Sequence, residues 1–316
     1  MDQLSAIRLF VRIVQRGSFA RAAESMGISS ATATERIRRL EAGLKAKLLN
    51  RTTRRVSLTP EGERYAAVCR NILNDLEDAE REISEDSRLR RGPVTMSVNV
   101  GVFRAILLPH MAAFAESHPD IRLQIVTSDQ RASFVDDGVD FAVRVGGLED
   151  QDLIGRRIGE PMRVTVASPD YVRRCGMPRC PQDLNEHRLI EFLLPRAGRT
   201  LEWEFCKDDG PQKIFFNGQI ALNDAEARVR LAEDGAGIAQ TMCFLAARSL
   251  HEGRLVRLLA AWETPAPTIS IVYPRNRHIP ARVKAAMDFT AATVANALKG
   301  QKRKSNSRKE SKDRRS

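Results

Sequence analysis

The chain has no apolar run long enough to cross a bilayer. Its longest mostly apolar stretches, 106–115 and 285–298, carry polar breaks and fall short of the ~20 residues a membrane helix needs. The opening segment, MDQLSAIRLFVRIVQRGS, interleaves charged with apolar side chains and lacks a small-residue cleavage site, so no secretory leader is predicted. Cysteine is sparse and unorganised: the five at 69, 175, 180, 206 and 243 have no metal-ligand spacing, and reduced thiols in a cytoplasmic setting are the default. Cys175 and Cys180, in CGMPRC, are near enough to form a redox pair, a reading disfavoured by the rarity of intracellular disulfide switches. The five histidines (110, 118, 187, 251, 278) never stand four apart with an acidic partner. With no Ser-His-Asp order, phosphate-loop glycine pattern or paired-carboxylate spacing either, neither a metal, a cofactor nor an enzyme is expected.

Positive charge is present but confined to the two ends. Residues 1–58 carry twelve Arg or Lys against four Asp or Glu, and residues 299–316 carry nine against two. Between them, 59–92 is acidic by six to nine and 93–298 nearly neutral by 24 to 25. Basic ends on a neutral body predict a head that binds a polyanion and a disordered basic tail over 299–316, read equally as a solubilising segment or a non-specific electrostatic DNA arm. At 316 residues the chain is long enough for two or three domains.

In the head, Leu4, Ile7, Val11 and Val14, with Phe10 beside them, give a first helix one apolar stripe ending near Gly17. Ser18 can cap a second helix whose apolar face is Phe19, Ala22, Ala23 and Met26, and Gly27 can take a left-handed stop. Ser29 is the natural N-cap of a third helix buried along Ala33, Ile37, Leu40 and Leu44. Outward, its start shows only Ser30, Ala31, Thr34 and Glu35, with Arg38 one turn on. Small polar side chains and exposed amides let a helix end approach phosphates and base edges, so the DNA major groove is the predicted partner. Serine and threonine also start helices for capping alone, but LLNRTTRRVSL (48–58) follows, a short hairpin pattern placing Arg51, Arg54 and Arg55 where a wing grips phosphate.

GSFARAAESMGISSATATERIRRLEAGLKAKLLNRTTRRVSLTPEGE resembles the winged helix-turn-helix of LysR-type transcriptional regulators. The matching residues are Gly17, Ser18, Phe19, Ala22, Ala23, Ser29, Ile37, Leu40, Glu41, Leu48, Arg51, Thr52, Leu58, Thr59 and Gly62. The chain departs from that pattern with Ser30-Ala31 in place of Gln-Pro, Leu44-Lys45 in place of Leu-Gly and Leu48-Leu49 in place of Leu-Phe. Without an amide at position 30 the bidentate adenine reader is gone, so base preference there does not carry over.

Thr59-Pro60-Glu61 reads as a helix start, after which Tyr65, Cys69, Ile72, Leu76, Ala79 and Ile83 repeat as a heptad seam. A helix from 60 to about 88 spans about 43 Å. Packing on its own domain is one reading; dimerisation is preferred, and the resemblance implies the same. Homodimers or homotetramers would then read an interrupted inverted repeat in promoter DNA.

After RLRRGP (88–93), strand-like runs at 95–100, 121–127, 141–145, 163–167, 214–216, 220–222, 237–240 and 269–273 alternate with helices at 105–117, from 169, 224–233 and 280–298. This predicts α/β layers around mostly parallel sheets. DGVDFAVRVGGLEDQDLIGRRIGE, LNDAEARVRLAEDGAGIA and GRLVRLL extend the resemblance to the effector-binding region of that family. The resemblance implies a two-lobed fold like periplasmic binding proteins, with crossings near 160–162 and 265–268. The expected organisation is α/β with an α-rich N-terminal head: winged helix-turn-helix 1–59, linker helix and hinge 60–92, effector-binding region 93–298 and tail 299–316.

Ligands in open α/β folds sit beyond the carboxyl ends of strands, which selects Gly101, Val102, Thr127, Ser128, Arg144, Gly147 and Asn223. Bland alternatives stand beside them: Thr127 and Ser128 as caps of a helix at Asp129, Asn223 as an N-cap, Arg144 paired with Asp136 or Asp140. Arg144 suits an anionic effector and Phe103 an aromatic one. The leading expectation is an effector-gated, nucleoid-associated transcription factor that works with RNA polymerase; the alternatives are a ligand-independent architectural DNA-binding protein and a cytosolic enzyme using the α/β cleft.

Overall fold

The structure, a computed structural model, describes residues 3–51, 56–83, 92–129, 138–147, 153–194, 197–207, 210–275 and 279–313. Helices α1 (Gln3–Arg16), α2 (Phe19–Ser25) and α3 (Ser30–Leu44) form the head. They start and stop where their caps dictate: Ser18 accepts from the Arg21 N–H at 3.4 Å and Ser29 from the Thr32 N–H at 3.0 Å. Leu9, Phe10, Ile13, Ala22, Ala23, Ala33, Ile37 and Leu40 close one core. Leu44, expected on the buried stripe, is 40% exposed, because the helix ends there and Lys45 turns into the left-handed region at φ 52°.

Strands β1 (Leu49–Arg51) and β2 (Val56–Leu58) pair antiparallel as the base of the wing. The Glu41 carboxylate fixes its entry by accepting from the Leu48 and Leu49 N–H groups at 2.9 and 3.2 Å. Helix α4 (Pro60–Ile83) is capped by Thr59, whose hydroxyl accepts from the Gly62 N–H at 2.9 Å. A Cβ on Gly62 would lie 1.9 Å from the Leu48 carbonyl oxygen, so only glycine lets α4 begin against that strand. The heptad seam is divided. Tyr65 sits 5.6 Å from the Phe10 ring and Cys69 is fully buried in the head's own core, because α1 already offers both an apolar surface. Cys69 therefore has no surface left for a seam, while Tyr65 and Leu76 are half-buried and Ile72 is 46% exposed. The side chains of Ala79 and Ile83 and residues 84–91 lie outside the described set.

The first lobe starts with β3 (Gly92–Val98), then a helical run: α5 (Val100–Val102), a π turn Phe103–Leu107, a 3-10 turn Leu108–His110 and α6 (Met111–Ser117). The run starts five residues earlier than the predicted 105 because the Asn99 side chain caps it, accepting from the Val102 N–H at 3.0 Å. With β4 (Ile121–Thr127), β5 (Phe141–Val145) and β6 (Leu153–Gly159) the strand order is β4-β3-β5, then the late strand 269–274, then β6.

The second lobe holds β7 (Met162–Ala167), α7 (Pro169–Cys175), β8 (Leu189–Leu194), β9 (Arg199–Thr200), β10 (Trp203–Lys207), β11 (Gly210–Ile214), β12 (Ile220–Leu222), α8 (Ala225–Glu233), β13 (Ile238–Met242), α9 (Cys243–His251), β14 (Val256–Leu258) and β15 (Thr264–Pro265). Its sheet runs β12-β8-β13-β7-β14. The expected strand 214–216 is instead the end of the β10–β11 hairpin, which pairs Trp203 with Ile214; Phe216 lies beyond it, buried in the second lobe's core. The chain returns through β16 (Ile269–Pro274) to the first sheet and ends in α10 (Ala281–Asp313).

The two crossings fall at the predicted places and are bonded together: the Ala266 N–H donates to the Pro161 carbonyl at 2.9 Å. Helix α10 continues past the predicted 298 through the segment read as a disordered tail. Once Val283, Ala286, Met287, Val294 and Leu298 are buried, each further residue adds a hydrogen bond without new nucleation, and Lys, Arg, Gln and Glu favour helix. Among the described residues no helix is long and apolar enough to cross a membrane, and no cluster of His, Cys, Asp or Glu could hold a metal ion.

Candidate nucleic-acid interface and effector cleft

The N-terminal turn of α3 presents Ser30, Ala31 and Thr34 to solvent, as expected. Ser29 is occupied as the cap and shares a hydrogen bond of 2.8 Å with the Thr32 hydroxyl, while the Thr34 hydroxyl donates to the Ser30 carbonyl at 2.9 Å. These internal bonds hold the side chains close to the helix and leave its front small. One turn on, Glu35 is a hub: it accepts from Arg38 Nε at 2.9 Å and Nη2 at 3.1 Å, and from Arg39 Nε at 2.8 Å. These two arginines hold the Glu35 carboxyl down at about 2. Arg39 went unmarked in the sequence, although its i, i+4 spacing from Glu35 was the available signal. Ser18 is half-buried and caps α2. Arg51 ends β1 with its backbone opposite Val56; its side chain, and Arg54 and Arg55 altogether, lie outside the described set.

In the effector region the expected contacts separate. Gly101 and Val102 are buried, and a Cβ on Gly101 would come 3.0 Å from Leu245 of α9, which brings the first lobe's helical run against the second lobe there. The helix start that follows β3 already has an anion: Asp129 accepts from Asn99 Nδ2 at 2.6 Å and from the Val100 N–H at 3.2 Å. Thr127 is exposed and Ser128 half-buried, the latter donating its N–H to the Val98 carbonyl at 2.9 Å. Arg144 donates to the Ser128 carbonyl at 3.2 Å and to the Ser97 hydroxyl at 2.9 Å, which makes it a brace across the strand ends. Asp140 accepts from the Thr95 N–H at 2.8 Å, and Asp136 lies outside the described set. Phe103 packs against the core from a half-buried position. Gly147 and Asn223 are exposed; the N-cap of α8 is Asp224, one residue later than expected, accepting from the Glu226 and Ala227 N–H groups at 2.9 and 3.0 Å.

A link the sequence did not reveal joins the lobes. Arg104 Nη1 of the first donates to Glu226 Oε2 of the second at 2.9 Å, across 122 positions of chain. All five cysteines are free thiols, and the Cys180 thiol donates to Asp183 at 3.2 Å.

Two family descriptions match the chain: "Bacterial regulatory helix-turn-helix protein, lysR family" over residues 4–63 and "LysR substrate binding domain" over residues 87–295. The uncharacterized HTH-type transcriptional regulator YhjC of Escherichia coli K12 is 30% identical over 298 residues, covering 94% of this chain and all of that protein. The HTH-type transcriptional regulator CrgA of Neisseria meningitidis is 31% identical over 297 residues, covering 93% of this chain and 98% of that one. Its solved structure superposes with a TM-score of 0.60 at 29% identity, covering 92% of this chain and 98% of that one. The full-length structure of the Vibrio cholerae virulence activator AphB gives 0.57 at 29% identity, covering 92% and 99%.

Proposed function

The chain belongs to the LysR family of DNA-binding transcriptional regulators, and from that premise we propose how its residues divide the work. Two or four copies associate through the exposed part of α4, around Ile72 and Leu76, and set a fixed spacing between heads. Each head inserts Ser30, Ala31, Thr34 and Glu35 into a major groove of an interrupted inverted repeat, with Arg38 and Arg39 beside it and Arg51, Arg54 and Arg55 on the phosphates. A small molecule, and no other cofactor, binds between the lobes and shifts their relative arrangement, which alters promoter geometry and the encounter with RNA polymerase on the nucleoid.

The observation that carries this reading is the front of α3: a capped helix end with only small side chains, mounted on a head whose core includes the start of the linker helix. Glu41, Thr59 and Gly62 lock that mounting. Footprinting on the DNA upstream of the protein's own coding region, repeated with candidate metabolites, tests it. Protection of two half-sites about one helical turn apart, altered by a metabolite, is expected. A strictly monomeric protein that ignores duplex DNA at low salt would sink the reading.

A further inference from the structure

Among the described residues, one guanidinium of the second lobe is buried with no carboxylate against it. Arg228 lies on α8 in the stripe Ala225, Arg228, Val229 and Ala232, the side of the helix turned toward the sheet, and is 7% exposed. Among the described residues no carboxylate pairs with it, and its Nε has no hydrogen-bond partner. Its contact is the face of Phe192, 5.1 Å from guanidinium carbon to ring centroid. The charge that acts on it is another cation, Arg163, whose own guanidinium is taken by Glu204 at 3.0 Å. Burial, then Arg163, push the Arg228 pKa down to about 10, which still leaves it charged at neutral pH. A buried charge in such surroundings is strongly unfavourable unless something compensates it.

Among the described residues a second buried polar group without a partner lies on a strand next to β8, which carries Phe192. The Thr241 hydroxyl on β13 is buried and has no hydrogen-bond partner among the described residues. Strands β13 and β8 run parallel with Ile238 opposite Leu189 and Ala239 opposite Ile190. Carrying that register two residues further sets Thr241 beside Phe192, on the sheet face that Ala239 and Ile190 share. Arg228, over the Phe192 ring, and Thr241 thus both lie toward the carboxyl ends of two parallel strands, where α/β folds hold ligands. The place also adjoins the lobe boundary. The next residues, Met242 and Cys243, reach the crossing through the Met162 N–H, which donates to Cys243 Sγ at 3.4 Å. Glu226, two residues before Arg228, holds Arg104 of the other lobe.

We propose that Arg228 and Thr241 dock a carboxylate of the effector, with Phe192 as the apolar floor. This rests on the effector-gated reading and names the ligand's chemical class. A guanidinium edge and one hydroxyl supply the donors that two coplanar oxygens take; a phosphate dianion would bring more charge and a third oxygen than they satisfy. Arg144, the cation that the sequence favours for this task, already has two protein acceptors.

The test is thermal unfolding of the full chain with acetate, benzoate and succinate, against acetamide, benzamide and succinamide at matched ionic strength. At least one carboxylate is expected to raise the unfolding temperature while its amide does not. Arg228→Met should weaken that carboxylate roughly 10- to 100-fold and, without ligand, unfold at a higher temperature, since an uncompensated charge is replaced by an apolar chain of similar reach. A purely structural arginine would give the opposite shift. Thr241→Val, a change of shape-matched groups, should weaken the carboxylate about 3- to 10-fold and carries the test if Arg228→Met does not fold. Indifference of the wild-type chain to every carboxylate, equal response to the amides, or a wild-type response in both variants would overturn the proposal. Failure of the underlying reading looks different: carboxylates shift the unfolding temperature but no ligand changes the wild-type footprint.

Discussion

The capped helix α3 of the head and helix α8 of the second lobe both carry arginines beside acidic residues. Arg230 of α8 pairs locally with Glu233 and Asp234 as the arginines of α3 do with Glu35, but α8 also buries an arginine. On α3, Arg38 and Arg39 are 70% and 60% exposed at the side chain and bonded to Glu35 within one turn. On α8, Arg228 faces the sheet, and the lobe-joining Glu226 finds its partner 122 positions away. The head's other polar contacts are equally local: Glu41 reaches Leu48 across seven positions and Thr59 donates to Lys47 across twelve. The effector region has local contacts too, but adds distant ones, such as Arg282 donating to the Pro93 carbonyl across 189 positions. A unit of local contacts keeps its shape in isolation, which suits a module that must fit DNA. A unit closed by distant contacts can change its arrangement when one of them is altered.

The contrast breaks most severely at Gly62. Placing a methyl group 1.9 Å from the Leu48 carbonyl oxygen forces α4 away from the wing, and Gly62→Ala should cost the head about 3 kcal/mol. Calorimetry should then resolve two transitions, with the head's lowered and the effector region's in place. A single unchanged transition would show that the head does not depend on this junction.

Glu35→Gln is next in size, read as DNA affinity. It releases Arg38 and Arg39, and non-specific duplex binding should rise roughly 3- to 10-fold at low salt, with the log–log salt slope steeper by ~0.9 for each arginine that takes up a phosphate. Wild-type binding carries a pH signature as well. The Glu35 pKa falls from 4.5 in the unfolded chain to about 2, so its ion pairs are fully present above about pH 4.5 and are lost as pH falls through about 2. Titration of binding between pH 7 and pH 5 should therefore show no step from this residue.

Lys45 marks a smaller effect. It holds φ 52° at the end of α3, a conformation that glycine adopts without steric cost. Lys45→Gly should stabilise the head by about 0.5–1 kcal/mol after the loss of unfolded-state restriction, measured by urea unfolding.

The same contrast governs what could be read from the chain. Caps at Ser18 and Ser29, the small front of α3, the wing base and the start of α4 follow from residues within a few positions of each other. Strands 121–127, 141–145 and 220–222 and both crossings were also legible, since alternation and apolar runs mark them. The surroundings of the candidate effector residues were less so. Rules about strand ends selected Gly101 and Arg144, but burial against Leu245 and bonding to Ser97 and Ser128 depend on parts of the chain that local pattern does not bring together. Arg228 did leave a trace, an arginine at a buried position of the stripe Ala225, Val229 and Ala232, which local spacing alone reads as a solvated face. Cys69 departs from the heptad for the complementary reason: it had a nearer apolar partner in the head's own core.

The Arg104–Glu226 pair is the finest division between the two regions, because both side chains retain contact with water, at 56% and 32% exposure. Exposed ion pairs are screened and hold two long side chains in place at an entropic cost, so this one cannot clamp the lobes by itself. Its role must be a bias: a shift of roughly twofold in the closed population, which a ligand bridging both lobes would multiply. Arg104→Ala, Glu226→Ala and the double variant, compared by small-angle scattering at low and at high salt, isolate that bias. A closed fraction reduced about twofold in each single variant, no further in the double, and the same as wild type at 1 M salt is the expected pattern. Equal scattering from all four proteins at low salt would assign closure to the packing of Gly101 on Leu245, and a bulkier residue at 101 would then be the substitution that opens the lobes.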